Sequence, residues 1–268
     1  MRRFSTTHFG YRQVAVEEKH RLVGRVFDNV AGSYDLMNDL MSAGVHRLWK
    51  HQFVSALNPQ PGMQVLDVAG GTGDIAFGIL EALRTANLNS SALEPFPEAD
   101  KSRVIVCDIN PSMLQVGRRR AEERGFLGKE ALHFTVGDAQ SLPFDSNSFD
   151  AYTIAFGLRN VTDIDIALQE AFRVLKPGGR FLCLEFSTLA HPLLQQVYDL
   201  YSFNVIPWLG QVCVNDRESY QYLVESIRKF PNQEQLKVKI AQASFDSSLI
   251  TFTNFSFGIC AMHSAFKL

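Results

Sequence analysis

The run Val65-Leu66-Asp67-Val68-Ala69-Gly70-Gly71-Thr72-Gly73-Asp74 constrains the fold more than any other stretch: an apolar strand enters a glycine-rich turn with a carboxylate on either side of the glycines. Such a strand, leading through a turn into a helix, belongs to an open, doubly wound parallel sheet, where ligands settle beyond the carboxyl ends of the strands. Gly70, Gly71 and Gly73 allow bare backbone to approach a ligand closely. Gly71-Thr72-Gly73-Asp74-Ile75-Ala76 also satisfies the dinucleotide pattern G-x-G-x-x-G/A. Charge argues against that match. A diphosphate would rest on the amides of the following helix, where Asp74 in the first turn and Asp67 behind it would repel it. Without a ligand, the stretch reads as a helix entry capped by Asp74. With one, S-adenosylmethionine suits the acidic flanks, because it carries a sulfonium and an ammonium group and no phosphate.

The rest of the chain keeps the same alternation. Predicted strands at Gln64–Val68, Arg103–Asp108, Leu132–Gly137, Phe149–Ala155 and Arg180–Phe186 are separated by predicted helices at Ile75–Leu83, Ser112–Arg124 and Ile164–Val174. Lys176-Pro177-Gly178-Gly179 closes the last helix. Ahead of this block, residues 17–57 read as helical: Val23, Val26, Phe27 and Val30 share one stripe, and His46, Leu48, Trp49 and Phe53 sit on a second helix. The expected organisation is a tail over residues 1–16, basic and hydroxylated at its start, which reads either as a transit-peptide remnant or as an ordinary frayed terminus, and a single domain over 17–268. Residues 85–102, rich in Asn, Ser and Pro, are expected as a surface insertion. Residues 190–235 begin with an apolar helix bearing Leu194, Val197, Tyr201 and Val205, read either as packed on the sheet or as a lid on the substrate side.

Composition excludes several classes of function. With 26 Lys and Arg against 28 Asp and Glu, the net charge of -2 offers no basic field for nucleic acid. Cys107, Cys183, Cys213 and Cys260 lie far apart, which fits reduced core thiols better than a zinc site or a disulfide framework. No apolar run approaches the roughly 18 residues that suggest a membrane span, so the chain reads as soluble or peripheral.

Three strands end in turn on Asp67, Asp108 and Asp138. Asp108 can take both ribose hydroxyls of a nucleoside, Asp138 can accept from an adenine amino group, and Ala139 can offer its amide to the ring. Asp108 as a helix cap and Asp138 as a surface turn are the plainer readings. Beyond these residues, Tyr34-Asp35-Leu36-Met37-Asn38 precedes Met41-Ser42 and His46-Arg47-Leu48-Trp49, and a second signature runs from Arg173 to Ser187. Phe156-Gly157-Leu158-Arg159-Asn160-Val161-Thr162, Ser219 to Arg228 and Gly258 to His263 complete the pattern. From about Thr7 to Leu268 the chain resembles the ubiquinone/menaquinone biosynthesis C-methyltransferases, a family of class I S-adenosylmethionine-dependent enzymes with a Rossmann-like, mostly parallel sheet.

The resemblance implies methyl transfer to a ring carbon of a polyprenylated methoxy-benzoquinol, with a demethylmenaquinol as the alternative acceptor. It maps the family's cofactor contacts onto Thr72, Asp108, Asp138 and Ala139, beside Asp67 and the glycines, and places Arg159, Asn160 and Tyr34 around the acceptor ring. A guanidinium is too weak a base to take the phenolic proton, so Arg159 is assigned to stabilising the phenolate, with Asn160 and Tyr34 orienting the ring. Water, a nearby carboxylate or His46 is left as proton acceptor, although His46 and Trp49 read first as a packed helix face. Ala155, where the family commonly has serine, Ala243-Ser244-Phe245, where it has a glycine, and Phe257 depart from the pattern. The family further implies a peripheral position on the matrix side of the mitochondrial inner membrane within a ubiquinone-synthesis complex, and leaves a homodimer open. A non-catalytic scaffold of that complex and an NAD-dependent oxidoreductase are the rival readings.

Overall fold

Strands buried on both faces read as near-continuous apolar runs, and that is how the sheet of this protein is built. The computed structural model describes residues 6–30, 38–39, 41–89, 102–126, 131–189 and 191–268. The helices α1 (Val16–Val30) and α2 (Val45–Leu57) precede the alternating block. That block runs β3 (Gln64–Val68), α3 (Asp74–Asn89), β4 (Arg103–Asp108), α4 (Pro111–Glu123), β5 (Leu132–Val136), β6 (Phe149–Ala155), α5 (Ile164–Val174) and β7 (Leu175–Phe186). Three helices follow, α6 (Pro192–Val214), α7 (Arg217–Lys229) and α8 (Gln233–Gln242), and then two strands, β8 (Thr251–Phe255) and β9 (Cys260–Phe266).

The sheet has seven strands in the order β5-β4-β3-β6-β7-β9-β8. The pairs from β5 to β7 are parallel, and β9 is antiparallel to both its neighbours. Strand order therefore reverses beside β3, and a crevice opens at the carboxyl ends of β3, β4 and β6. Trp49 and Phe53 of α2, Ile79 and Leu80 of α3 and Leu114 of α4 cover one face. Leu168 of α5 and Leu236 and Ile240 of α8 cover the other, against Tyr152 and Phe181. Fully burying a side chain such as Phe53 contributes about 1.5–3 kcal/mol, so both helix layers are firmly attached.

Three strands coincide with their predicted bounds, and the departures have local causes. β7 starts at Leu175 rather than Arg180, because Lys267 stitches the Lys176-Pro177-Gly178-Gly179 turn to the sheet: its carbonyl accepts from Gly178 N at 2.6 Å and its ammonium reaches Leu175 O at 2.7 Å. Helix α3 continues to Asn89, taking up the start of the insertion expected over 85–102; residues 90–101 lie outside the described residues. Within the expected tail, β1 (Thr6–Phe9) and β2 (Arg12–Ala15) pair as a hairpin. Phe9 stacks on Tyr222 of α7 with ring centroids 4.0 Å apart, and Tyr11 N donates to Glu225, so this segment is docked rather than loose. Cys107, Cys183 and Cys260 are buried, but Cys213 is exposed.

Helix α6 packs against α7, and Gly210 lets the Tyr220 ring come so close that a Cβ there would lie 2.2 Å from it. Its opposite face leaves Leu193, Val197, Leu200, Trp208 and Val212 exposed. Among the described residues, no helix is long and apolar enough to cross a membrane.

The departure at Ser244 has a backbone consequence. This exposed residue follows the end of α8 with φ of 77°, a left-handed conformation that costs a residue with a Cβ about 1–2 kcal/mol. Ser244→Gly is expected to raise unfolding stability by about 1 kcal/mol in urea denaturation, with cofactor affinity unchanged.

Candidate active site

Asp67 ends β3 with no exposure at all. Its Oδ1 accepts from Thr153 Oγ1 of β6 at 2.8 Å, while Oδ2 meets no hydrogen-bond partner among the described residues. Burial, reinforced by the charges of Asp108 and Asp74, pushes its carboxyl up to about 7. The glycine turn folds directly over this group. Gly73 N donates to Gly70 O at 2.8 Å, and a Cβ on Gly70 would lie 2.7 Å from Asp67 Oδ2. Gly71, with φ of +51°, donates its amide to Asp108 Oδ2 at 2.9 Å, so the end of β4 holds the turn after β3. Asp108 is itself pushed up to about 6 by burial, against the amides of Asn110, Gly71 and Ile109. Ala69 and Phe156, at the ends of the adjacent strands β3 and β6, have φ of 50° and 57°. Two of the strained backbone positions thus flank the crevice.

A cavity opens there, with about 1090 Å³ of empty space including its open mouth, lined by Asp67, Gly70, Gly71, Thr72, Asp108, Asp138 and Ala139 and roofed by Val23, Gly24 and Phe27 of α1. The roof is pinned by Lys19 Nζ on Val161 O at 2.9 Å and by Asn110 Nδ2 on Asp28 at 3.0 Å. Burial lowers Lys19 to about 8. Asp138 is engaged by the backbone and side chain of Gln140. Gly73 does not line the cavity; its φ of +87° and its contact with Phe77 form the entry to α3.

Asp74 corrects the charge argument made from the sequence. Its carboxylate lies 2.7 Å from Lys50 Nζ and 3.5 Å from Arg120, and although burial opposes them, these cations hold it below its ordinary value. The negative character of the cavity therefore comes from Asp67, Asp108 and Asp138. The open Oδ2 of Asp67 beside a cradle that a Cβ would fill fits a cationic group such as the ammonium of S-adenosylmethionine. Asp108 keeps lone pairs for ribose hydroxyls.

A second cavity of about 680 Å³ adjoins the first, and Phe27, Lys50, Phe156 and Asn160 line both. Arg159 enters it from a 3-10 turn, Leu158–Asn160, that follows β6. Its Nη1 lies 2.9 Å from Glu185 Oε1 at the end of β7 and also donates to Phe156 O, and its guanidinium sits 5.6 Å from the Phe186 ring centre. Burial raises the Glu185 carboxyl, with Arg159 and two backbone amides opposing it. Asn160 Oδ1 accepts from the Tyr222 hydroxyl at 2.9 Å. Val26, Met41, His46 and Leu223 add to the walls.

Arg159 and Asn160 are thus brought together, whereas Tyr34 lies outside the described residues. The expected lid over 190–235 is divided: α7 supplies Ser219, Tyr220, Tyr222 and Leu223 to the second cavity, but α6 lines neither cavity. Sequence reasoning missed Lys50, Glu185 and Tyr222. Of these, only Lys50 left a local signal, being one helical turn after His46 on a face that also carries Trp49 and Phe53.

The raised carboxyl of Asp67 fixes the sign of two effects. Protonated below its unfolded value near pH 4, Asp67 favours the fold, and the free protein loses that contribution as pH rises through about 7. A bound cation prefers the ionised form, so affinity should run the other way. Asp67→Asn is expected to raise the Tm of the free protein at pH 8 by about 5 °C and to weaken S-adenosylhomocysteine binding at least about tenfold. Wild-type affinity should fall between pH 8 and pH 5, less steeply in the variant, as thermal shift and titration calorimetry would measure.

Comparison with known proteins agrees with this geometry. The 2-methoxy-6-polyprenyl-1,4-benzoquinol methylase, mitochondrial, of Oryza sativa subsp. japonica is 54% identical over 262 residues, covering 98% of this chain and 88% of that protein. The Homo sapiens protein of the same name is 52% identical over 285 residues, covering 100% and 86%. Among solved structures, a SAM-dependent methyltransferase of Thermotoga maritima, described as a possible histamine N-methyltransferase, superposes with a TM-score of 0.57 at 17% identity over 91% of this chain and 99% of its own. The [4+2]-cyclase SpnF does so with 0.60 at 18% identity over 91% and 94%. At such identities the likeness is one of fold, the α/β fold of class I methyltransferases. The model of the ubiE/COQ5 methyltransferase family matches residues 13–267, and with nearly the whole chain so aligned, this protein belongs to that family and is an S-adenosylmethionine-dependent methyltransferase.

Proposed function

We propose that this enzyme methylates a ring carbon of a polyprenylated methoxy-benzoquinol, the class of acceptor in the names of its relatives. The observation that carries the reading is the second cavity: mostly apolar, continuous with the cofactor cavity, and holding one buried guanidinium, that of Arg159, fixed by Glu185. S-adenosylmethionine, when bound, supplies an electrophilic methyl group on a positively charged sulfur. Asp67 and the Gly70–Gly73 turn would hold its amino-acid end, Asp108 its ribose, and Asp138 with Ala139 its adenine. A quinol ring carbon becomes a competent nucleophile once the neighbouring phenol ionises. Arg159 is always charged, and in a cavity walled by Phe27, Phe156 and Phe186 its field falls on the phenolate with little screening. Asn160, its carbonyl held by Tyr222, is left with amide hydrogens to orient the ring.

A peripheral position on the matrix side of the mitochondrial inner membrane, within a ubiquinone-synthesis complex and with a homodimer as one arrangement, belongs to the same reading. The prenyl tail of the acceptor resides in lipid, the relatives are named mitochondrial, and α6 offers an exposed apolar face.

Removing Arg159 alone would leave Glu185 as an unpaired buried charge, so the informative variant is the double change Arg159→Gln with Glu185→Gln. Its turnover of a short-prenyl methoxy-benzoquinol, followed as S-adenosylhomocysteine release, is expected to fall about 10²–10³-fold with S-adenosylhomocysteine affinity within about threefold of wild type. Wild-type turnover in this variant would overturn the phenolate role, and a wild-type enzyme inert toward the quinol would overturn the acceptor.

A further inference from the structure

The second cavity contains a histidine, and the choice of proton acceptor, left open by the sequence between water, a carboxylate and His46, turns on its surroundings. His46 is 6% exposed, lies on α2, and shares the cavity wall with Arg159 and Asn160. Its Nε2 is 2.9 Å from Asp39 Oδ1, while its Nδ1 is buried with no hydrogen-bond partner among the described residues. We propose that His46, oriented by Asp39, is the base that takes the phenolic proton of the acceptor at Nδ1.

The hydrogen-bond pattern sets the tautomer. Arg47 Nε donates to the same Asp39 oxygen at 2.8 Å, and Arg47 and His46 together hold the Asp39 carboxyl well below the usual carboxylate range. An ionised carboxylate can only accept. The imidazole hydrogen therefore sits on Nε2, and the lone pair is left on Nδ1, the atom without a hydrogen-bond partner among the described residues. This is the orienter-and-base arrangement expected of a general base. Burial and the Lys50 ammonium lower the imidazole's affinity for a proton, with Asp39 and the more distant Asp74 working the other way, so His46 is neutral at physiological pH.

Three other polar groups on the same wall are engaged with neighbours. Lys50 donates to Asp74, Arg159 to Glu185 and Phe156 O, and the Tyr222 hydroxyl to Asn160. In the step itself the phenolic O–H bond breaks, its electron pair stays on oxygen beside Arg159, and the proton goes to Nδ1, leaving a phenolate and an imidazolium. Once the ring has gained its methyl group and shed its ring proton to water, the imidazolium returns its proton to the oxygen. One proton in total leaves per methyl transferred.

The inference rests on the second cavity being the acceptor site, and two measurements keep the two apart. A 4-nitrophenol carrying a short prenyl chain, added with S-adenosylhomocysteine, reports phenol ionisation by absorbance without any turnover. In the wild-type enzyme the bound probe should ionise at least one pH unit lower than in His46→Gln. The same variant should turn over a short-prenyl quinol about 10²–10³-fold more slowly, bind S-adenosylhomocysteine within about twofold of wild type, and lose the acid limb of kcat/KM for the quinol. That limb, read at saturating cofactor to suppress Asp67 and Asp108, should lie below the ordinary imidazole value of about 6.5. Asp39→Asn keeps the imidazole but weakens its basicity, and should move the limb to lower pH. Equal probe ionisation in wild type and His46→Gln, or turnover of the variant within threefold, would overturn the base assignment while leaving the cavity as acceptor site. Failure of the probe to bind wild type would overturn both.

Discussion

A carboxylate buried near the end of a central strand, with one oxygen bonded to Thr153 and the other without a partner among the described residues, is the interaction on which the rest of this structure depends. Desolvation first, and then the neighbouring charges of Asp108 and Asp74, disfavour the charge of Asp67. The surrounding fold tolerates it because the glycine turn, the Asp108 carboxylate and the packed strands leave no room for the chain to relax away. A cation arriving in the cavity restores the balance. The free protein therefore carries a destabilising group, and on the proposed assignment of Asp67 to the cofactor, folding and cofactor binding pull the same carboxyl in opposite directions.

The two cavities are different kinds of site joined at a few side chains. The first is polar and lies at strand ends, where any doubly wound sheet would place it. The second is closed by elements added to the sheet: α1, the segment before α2, α2 itself and α7. Lys50 belongs to both and carries a bond to Asp74 at the first helix turn behind the glycines, so the acceptor wall and the cofactor turn are mechanically linked. The Arg159–Glu185 pair is buried on both sides, at 8% and 1% exposure. A pair this dry gains little net stability over an apolar replacement. What it supplies is a cation held at a defined place in an apolar cavity, and that is what developing negative charge on a ring oxygen requires.

How much of this was legible in the sequence follows from the range of each interaction. Asp67, Asp108 and Asp138 stood out because each closes an apolar run, and strand pairing then aligns those ends without further information. Arg159 and Asn160 were found because they follow a strand end in a family motif. Glu185 was not, because it meets Arg159 only through the parallel pairing of β6 and β7. Asp74 was misjudged for a related reason: its neutralising partners, Lys50 and Arg120, come from two other helices. His46 looked like one more core position in an apolar stripe. Burial was read rightly, but a buried histidine's open ring nitrogen appears only when Asp39, from outside the helix, is seen on the other one.

The apolar helix α6 shows the same limit from the opposite side. Its hydrophobicity suggested a lid, yet the side chains that close the acceptor cavity belong to α7, an amphipathic helix with Arg217, Glu218, Glu225 and Arg228 on it. A helix that lines a polar-tipped cavity needs tyrosines and serines at its buried positions, such as Tyr220, Tyr222 and Ser219, which dilute its apolar stripe. A helix whose apolar side chains point away from the domain carries no such requirement and reads as the more hydrophobic of the two. Between these two helices the greater hydrophobicity thus marks the uncovered surface, while the wall of the second cavity is marked by aromatic residues with a hydroxyl, Tyr222 being held by Asn160 and by the stacking of Phe9.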